Sequence, residues 1–129
     1  MVGSHMIDYY HALGGVKITG TYYRPTVDIS DIRDKADLSE VDVRYQLGVA
    51  KVIMSLRPDK IFHLAAQSYP TVSWDKPQET MDINVNGTVN IFEAIKLVRK
   101  DDPSYDPHRG GSLLERAIWR LPDTRKCSY

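Results

Sequence analysis

The chain has 129 residues, which is enough for one domain with a modest hydrophobic core. Its 17 basic and 17 acidic side chains cancel, so charge gives no reason to expect nucleic acid or an anionic membrane as a partner. A single cysteine, Cys127, excludes an internal disulfide and a thiolate metal cluster. No apolar run approaches the roughly 20 residues of a membrane span, and no signal peptide is visible, so we expect a cytoplasmic protein.

The first predicted elements are a helix and a strand. Residues 4–13 carry apolar and aromatic side chains at helical spacing, with Ser4 as the expected cap and Gly14-Gly15 as the expected end. Residues 16–23, which read VKITGTYY, are β-branched and aromatic and predict a strand. A charged connection without a clear period follows.

A second strand and a second helix are predicted next. Residues 39–45 form a short strand candidate. Residues 45–60 place apolar residues on one helical stripe, and the helix is expected to stop before Pro58. The stripe consists of Leu47, Ala50, Ile53, Met54 and Leu56.

The remaining elements are a buried strand and a long helix. Residues 60–66, KIFHLAA, predict the strand, and residues 78–100 predict one long amphipathic helix. The apolar positions of that helix are Ile83, Val85, Val89, Ile91, Phe92 and Ile95. Strands that alternate with helices predict an α/β fold with a parallel, doubly wound sheet.

Three short stretches follow the three predicted strands. They are Tyr23-Arg24, Asp42-Val43 and 64–68. Parallel sheets of this kind bind ligands beyond the carboxyl ends of their strands, so we expect these stretches to share one rim. The small side chains of Ala65 and Ala66 would let a flat ligand lie against the backbone.

The segment that starts at "HLAAQS" and continues through a "VS" to "NVNGTVNIFEA" resembles the extended short-chain dehydrogenase/reductase family. That family contains NAD(P)-dependent sugar-nucleotide epimerases and dehydratases. Within it, the chain most resembles the GDP-mannose 4,6-dehydratases. The resemblance implies a partial NAD(P)-binding Rossmann domain over 1–107, with an incomplete doubly wound sheet.

The resemblance assigns cofactor roles to four residues near the first two strands. Gly3 resembles the last glycine of the pyrophosphate loop, although a simple N-terminal turn explains it equally well. Arg24 takes the place where an arginine favours the 2′-phosphate of NADP over NAD, and the alternative is a solvated surface arginine. Asp42 and Val43 resemble the pair at the adenine edge, while a turn or cap role is the more common use of such an aspartate.

Further roles fall on the third strand and the last helix. The family's wall against the adenosine ribose and nicotinamide side corresponds to Leu64, Ala65, Ala66, Gln67 and Ser68. Ser68 also resembles a substrate contact. Without the resemblance, the "HLAA" stretch reads as core, and His63 reads as a satisfied buried imidazole.

One asparagine and two aromatic residues complete the candidates. Asn84 resembles an asparagine that braces the active site by bonding backbone, and the alternative is a polar contact on the helix face. Tyr69 and Trp74 are candidates for lining the sugar-nucleotide pocket or for ordinary packing. No metal ligand is predicted.

The departures from the family's pattern concern catalysis. The family's base is a tyrosine with a lysine four residues later, and no tyrosine in this sequence has that partner. We therefore assign no catalytic residue. The first strand, the earlier glycines and the C-terminal domain have no counterpart, and residues 108–129 read as an atypical tail, compatible with a shifted reading frame.

The resulting expectation is a fragment of an NADP-dependent GDP-mannose 4,6-dehydratase, inactive alone, with NAD as the alternative cofactor. A nucleotide sugar is the expected partner, and the parent enzyme is expected to be a homo-oligomer. The alternatives are a fragment of an NAD-dependent sugar-nucleotide 4-epimerase and a non-catalytic nucleotide-binding or interaction module. A product without function is the remaining possibility.

Overall fold

The computed structural model describes residues 2–25 and 28–107. The predicted tail at 108–129 lies outside them. In chain order, the elements are α1 (Val2–Leu13), β1 (Thr19–Tyr22), α2 (Ser30–Arg33), β2 (Asp37–Glu40), α3 (Gln46–Leu56), α4 (Pro70–Asp75), α5 (Pro77–Met81), a π-helix (Asp82–Asn86) and α6 (Gly87–Asp101).

Two parallel strands form the sheet of the described residues. β1 pairs with β2 from Thr19 opposite Asp37 to Tyr22 opposite Glu40. A parallel pair needs a crossover, and here the short helix α2 lies within it. The small parallel sheet with helices is consistent with the incomplete α/β fold that the resemblance implies.

The hydrophobic core lies between α3 and α6. Its buried side chains are Val49, Ala50, Ile53, Ala94 and Val98, and the partly buried Val41, Ile61, Ile91, Ile95 and Tyr105 pack around them. The hydroxyl of Tyr105 donates to the carbonyl of Pro58 at 2.9 Å, which ties the chain after α6 to the end of α3. Each helix therefore buries one narrow stripe, as expected for helices that cover one side of a sheet.

Residues 61–64 lie between two helical layers. Ile61 packs on the α3/α6 core and the ring of His63 contacts Thr88 of α6. Phe62 lies 5.8 Å from Tyr10 of α1, measured between ring centroids. The side chains thus alternate between opposite faces, as they do in a strand.

This segment is where the predicted sheet is wrong. The sequence predicts a buried strand over residues 60–66, but they join no ladder among the described residues, and residues 64–66 are exposed. A strand needs hydrogen-bonding neighbours from distant parts of the chain, and a local pattern cannot specify them. The alternation of side chains is predicted correctly, whereas the pairing is not.

The predicted bounds of two elements need correction. The first helix starts at Val2, so Ser4 lies inside it and does not cap it. The second strand occupies Asp37–Glu40, and the chain turns at Asp42 because an Asx turn forms there. The first helix ends at Leu13, as predicted, because Gly14 and Gly15 both adopt positive φ.

The buried faces of the helices also differ from the predicted stripes. Leu47 is 86% exposed, and Val49 takes a core position instead. In the last helix, Val85, Val89 and Phe92 are exposed, and Ala94 and Val98 are buried. The expected single helix over 78–100 is divided by the π-helix, which changes the angular phase of all later residues.

No helix in residues 2–25 and 28–107 has both the length and the apolar character needed to cross a bilayer. Over the same ranges, His, Cys, Asp and Glu side chains do not gather in groups of three or more that suit a metal ion.

Candidate functional site

The carboxyl ends of β1 and β2 bring an aromatic ring and two arginines together. Tyr23 and Arg24 directly follow β1, and Arg44 lies in the turn after β2. The guanidinium carbon of Arg24 lies 5.1 Å from the centroid of the Tyr23 ring, and that of Arg44 lies 5.8 Å from the same centroid. Both distances fall within the range of cation–π attraction.

Arg24 is an exposed cation in an unusual backbone conformation. Its φ is +44°, a left-handed value that costs a residue with a Cβ about 1 kcal/mol or more. Within the described part of the chain it forms no ion pair. The strained turn thus presents, at the end of β1, a guanidinium that has no ion-pair partner among the described residues.

Asp42 is held by Arg44. Its side chain is 4% exposed, and Oδ2 lies 2.6 Å from Arg44 Nη2, while Nε of the same arginine also donates to the carboxylate. Oδ1 accepts the backbone N–H of Arg44 at 3.0 Å. These charge-assisted hydrogen bonds hold the pKa of Asp42 below its usual range and raise that of Arg44. The turn role considered for Asp42 is therefore present in the structure.

The neighbouring backbone leaves one donor free. The N–H of Val43 donates no hydrogen bond to any described residue. Asn90 of α6 fixes the same turn from the other side, since its Nδ2 donates to the carbonyls of Val43 at 2.8 Å and Arg44 at 3.1 Å. A fixed N–H donor therefore lies beside a carboxylate acceptor.

A second group of candidates follows the segment at 61–64. Leu64, Ala65 and Ala66 are exposed, as is Ser68. Gln67 is partly buried, and its backbone is bonded in both directions by Asn84: the N–H donates to Oδ1 at 2.8 Å and the carbonyl accepts from Nδ2 at 3.1 Å. This arrangement holds the loop at a fixed distance from the π-helix.

Gly3 lies in the first turn of α1, against this second group. A Cβ built on Gly3 would lie 3.7 Å from Leu64 Cδ1, which is ordinary van der Waals contact. The space at this point therefore does not require a glycine. Tyr69 and Trp74 are 66% and 86% exposed, so neither serves the packing role considered for it.

His63 is half-buried and faces α6. Its Nε2 lies 3.1 Å from Thr88 Oγ1. Burial lowers the pKa of His63 below its ordinary value, which favours the neutral ring. Its surroundings match the satisfied buried imidazole expected from the sequence.

Sequence reasoning placed Tyr23 on the rim but missed Arg44, Asn90 and Thr88. For Arg44, the available signal was an arginine two residues after a strand-end aspartate, a spacing that suits an Asx turn with an ion pair. For Asn90, no local signal exists, because its partners lie 46 and 47 residues away in the chain.

Comparisons with known proteins agree on one family. A family model described as GDP-mannose 4,6 dehydratase matches residues 1–105. GDP-mannose 4,6-dehydratase from Vibrio cholerae is 30% identical over 83 residues, which cover 64% of this chain and 21% of that protein. CDP-paratose 2-epimerase from Salmonella typhi is 42% identical over 55 residues, covering 43% of this chain and 16% of that protein.

Solved structures show the same architecture. UDP-glucose 4-epimerase from Thermus thermophilus, in a complex with NAD, aligns with a TM-score of 0.68 and 26% identity, over 76% of this chain and 31% of that one. The Brucella ovis UDP-glucose 4-epimerase, also with NAD, aligns with a TM-score of 0.68 and 25% identity, covering 77% of this chain and 30% of that one. The chain spans about a fifth of the length of the curated relatives it matches.

The matched region includes both rim groups and the asparagines that fix them, and it extends over more than four fifths of the sequence. The chain therefore belongs to the GDP-mannose 4,6-dehydratase family, on an incomplete Rossmann-type α/β fold.

Proposed function

We propose that this chain carries the adenosine-binding part of the NADP site of a GDP-mannose 4,6-dehydratase. The observation that carries the proposal is the free N–H of Val43 at the end of β2, which complements the acceptor N1 of adenine. The carboxylate of Asp42 lies beside it, and accepting the adenine amino group would require it to exchange one of its hydrogen bonds to Arg44, which occupy both oxygens. Asn90 fixes the turn in that arrangement.

Arg24 supports NADP as the cofactor. Its guanidinium is exposed, lies beside the Tyr23 ring and has no ion-pair partner within residues 2–25 and 28–107. Arginine binds phosphate through several donors in a fixed plane, so it suits a 2′-phosphate at the end of the strand. NAD lacks that phosphate and would leave the guanidinium in water.

The remaining site residues suit the rest of the dinucleotide. Gly3 opens α1 near Leu64, where backbone N–H groups at a helix start favour a pyrophosphate. The exposed Ala65 and Ala66 provide a flat wall, and Gln67 and Ser68 continue that wall toward the substrate. The bound cofactor would supply the hydride chemistry, and these residues would bind and orient it.

In this proposal, GDP-mannose is the substrate, the whole enzyme is a cytoplasmic lyase and a homo-oligomer, and residues 1–107 form the partial cofactor domain. A sugar-nucleotide 4-epimerase is the second candidate, and it is favoured by the structural likeness to UDP-glucose 4-epimerases bound to NAD. The two candidates differ in cofactor, so cofactor preference separates them.

The test is calorimetric titration of the 129-residue chain with NADPH and NADH. We expect NADPH to bind about tenfold tighter, because a charge-assisted contact contributes roughly 1.5 kcal/mol. Arg24→Ala should remove the preference. Arg57→Ala is the matched control. Arg57, which follows α3, also has a left-handed backbone, with φ of +42°, but its guanidinium pairs with Asp102.

Equal affinities that Arg24→Ala leaves unchanged would contradict the NADP assignment and favour the epimerase. An absence of binding for both nucleotides would contradict the cofactor site itself. Because the sequence lacks a tyrosine paired with a lysine four residues later, we also expect no turnover of GDP-mannose by this chain.

A further inference from the structure

A continuous hydrogen-bonded path joins His63 to the backbone of Gln67. Thr88 Oγ1 donates to the carbonyl of Asn84 at 2.8 Å. A threonine hydroxyl has one proton, so toward His63 the same oxygen must accept, and His63 Nε2 must carry the donated proton. Asn84 then bonds both backbone groups of Gln67.

Asn84 lies in the π-helix, where it needs support. A π-helix forms i→i+5 hydrogen bonds in place of the i→i+4 bonds of an α-helix, and it rarely extends beyond a single turn. Thr88 lies one residue into α6 and bonds back into the middle of the π-helix. His63, on the opposite segment, fixes the Thr88 hydroxyl, so two separate parts of the fold hold the π-helix in register.

Similar threonine and serine bonds occur elsewhere in the chain without this support. Thr80 Oγ1 donates to the carbonyl of Lys76 at 3.1 Å, and Ser73 donates to Tyr69 at 3.0 Å, but both lie on exposed helix surface. Such bonds are ordinary features of helices. The feature specific to Thr88 is the partly buried imidazole donor on its far side.

We propose that His63 and Thr88 are positioning residues, which keep Asn84 on the Gln67 backbone and thereby fix the wall formed by Gln67 and Ser68. The role in ligand binding rests on the proposed function, since it assumes that this wall faces the dinucleotide. The positioning itself is measurable without any ligand.

The experiment is amide hydrogen exchange of Gln67, measured by NMR on the 129-residue chain without nucleotide. Thr88→Val has nearly the same shape but no hydroxyl, and we expect it to speed Gln67 exchange roughly fivefold, the effect of losing about 1 kcal/mol. Thr88→Ser keeps the hydroxyl and should restore the slow exchange. Thr80→Val, which removes an equivalent bond away from the site, should leave Gln67 unchanged.

A measurement on the unchanged chain tests the path if Thr88→Val does not fold. The ring nitrogen shifts of His63 should show a proton on Nε2 and a bare Nδ1 near neutral pH. A proton on Nδ1 alone would overturn the proposal. Equal effects of Thr88→Val and Thr80→Val on Gln67 would also overturn it.

Nucleotide titration of Thr88→Val separates this inference from the proposed function. Fast Gln67 exchange with weaker NADPH binding supports both. Fast Gln67 exchange in Thr88→Val, together with an unchanged chain that binds no nucleotide, supports the positioning and contradicts the cofactor site. Slow exchange with normal binding contradicts the positioning and leaves the cofactor site supported.

Discussion

At the scale of single residues, the rim combines an ion-paired arginine, Arg44, with an arginine, Arg24, that forms no ion pair within the described residues. Arg44 is bonded to Asp42 and lies 3.7 Å from Glu79, so its charge is largely neutralised and it serves to fix the turn. Arg24 lies over the same Tyr23 ring without such partners in the described chain. The two arginines therefore differ in role: Arg44 fixes the turn, and Arg24 is available to a ligand.

His63 makes stability depend on pH in a defined range. Burial lowers the pKa of His63 below the ordinary value of about 6.5, so below that pH the unfolded chain binds a proton that the folded chain resists. We expect the free energy of unfolding to be level between about pH 7 and 9 and to fall as the pH falls below about 6.5. Urea unfolding at three pH values measures it.

His63→Gln is the comparison for this prediction, since glutamine retains an N–H donor but does not titrate. Its stability should stay level over the same range. The carboxyl of Asp42, with its lowered pKa, loses its stabilising contribution only below about pH 4, so it does not interfere. Parallel pH profiles for the two proteins would show that His63 is not the cause.

At the scale of elements, α6 approaches the turn after β2 closely. A Cβ built on Gly87 would lie 2.9 Å from Val43 Cγ2 and 3.2 Å from Val43 Cβ. Glycine costs a helix about 1 kcal/mol relative to alanine, so its presence here is explained by the contact with Val43. Close packing at this point supports the turn that holds the Val43 N–H.

We predict opposite effects for two glycine-to-alanine changes in helices. Gly87→Ala should lower the free energy of unfolding by about 1–3 kcal/mol, because Val43 has no flexible end that can move away. Gly48→Ala in α3 should raise it by about 0.5–1 kcal/mol, because its Cβ would meet Val41 at an ordinary 3.6 Å. Chemical denaturation of both variants checks this, and a Gly87→Ala protein as stable as its parent would contradict the packing argument.

The elements also show which parts of the fold could be predicted from the sequence. α1, α3 and β1 were predicted within a few residues, because apolar spacing and the Gly14-Gly15 end are local signals. The π-helix was not predicted, since the contacts that accompany it, from Asn84 to Gln67 and from Thr88 to His63, link positions 17 and 25 residues apart. At the site, the rim positions could be inferred from strand ends, whereas their hydrogen-bond partners could not.

At the scale of the whole molecule, the sheet of the described residues is small and the layers around it are unequal. The α3/α6 layer contains the buried core, whereas on α1 no residue is fully buried. Residues 61–64 touch both layers through side chains, but no described residue pairs with their backbone. Side-chain packing holds this segment in place, and its backbone groups have no hydrogen-bond partner within residues 2–25 and 28–107.

We predict that this segment exchanges its amide hydrogens quickly despite its position between helices. The amides of residues 61–64 should exchange faster than those of Ile53 and Val98 by a factor of roughly 100, which corresponds to about 2.7 kcal/mol. Exchange detected by NMR resolves the individual amides. Protection of 61–64 equal to that of Val98 would show that these backbone groups have hydrogen-bond partners in solution.

The two asparagine contacts made by the last helical run restrict where the chain can gain or lose a residue. Asn84 bonds Gln67 in the loop after residues 61–64, and Asn90 bonds Val43 in the turn after β2. One continuous helical run therefore fixes the positions of both loops. Adding or deleting one residue between them would rotate one contact relative to the other by about 100°. Insertions and deletions between Asn84 and Asn90 should therefore not be tolerated, even though much of that surface faces water, and between Asn90 and Val98 they would rotate the buried Ala94 and Val98 out of the core.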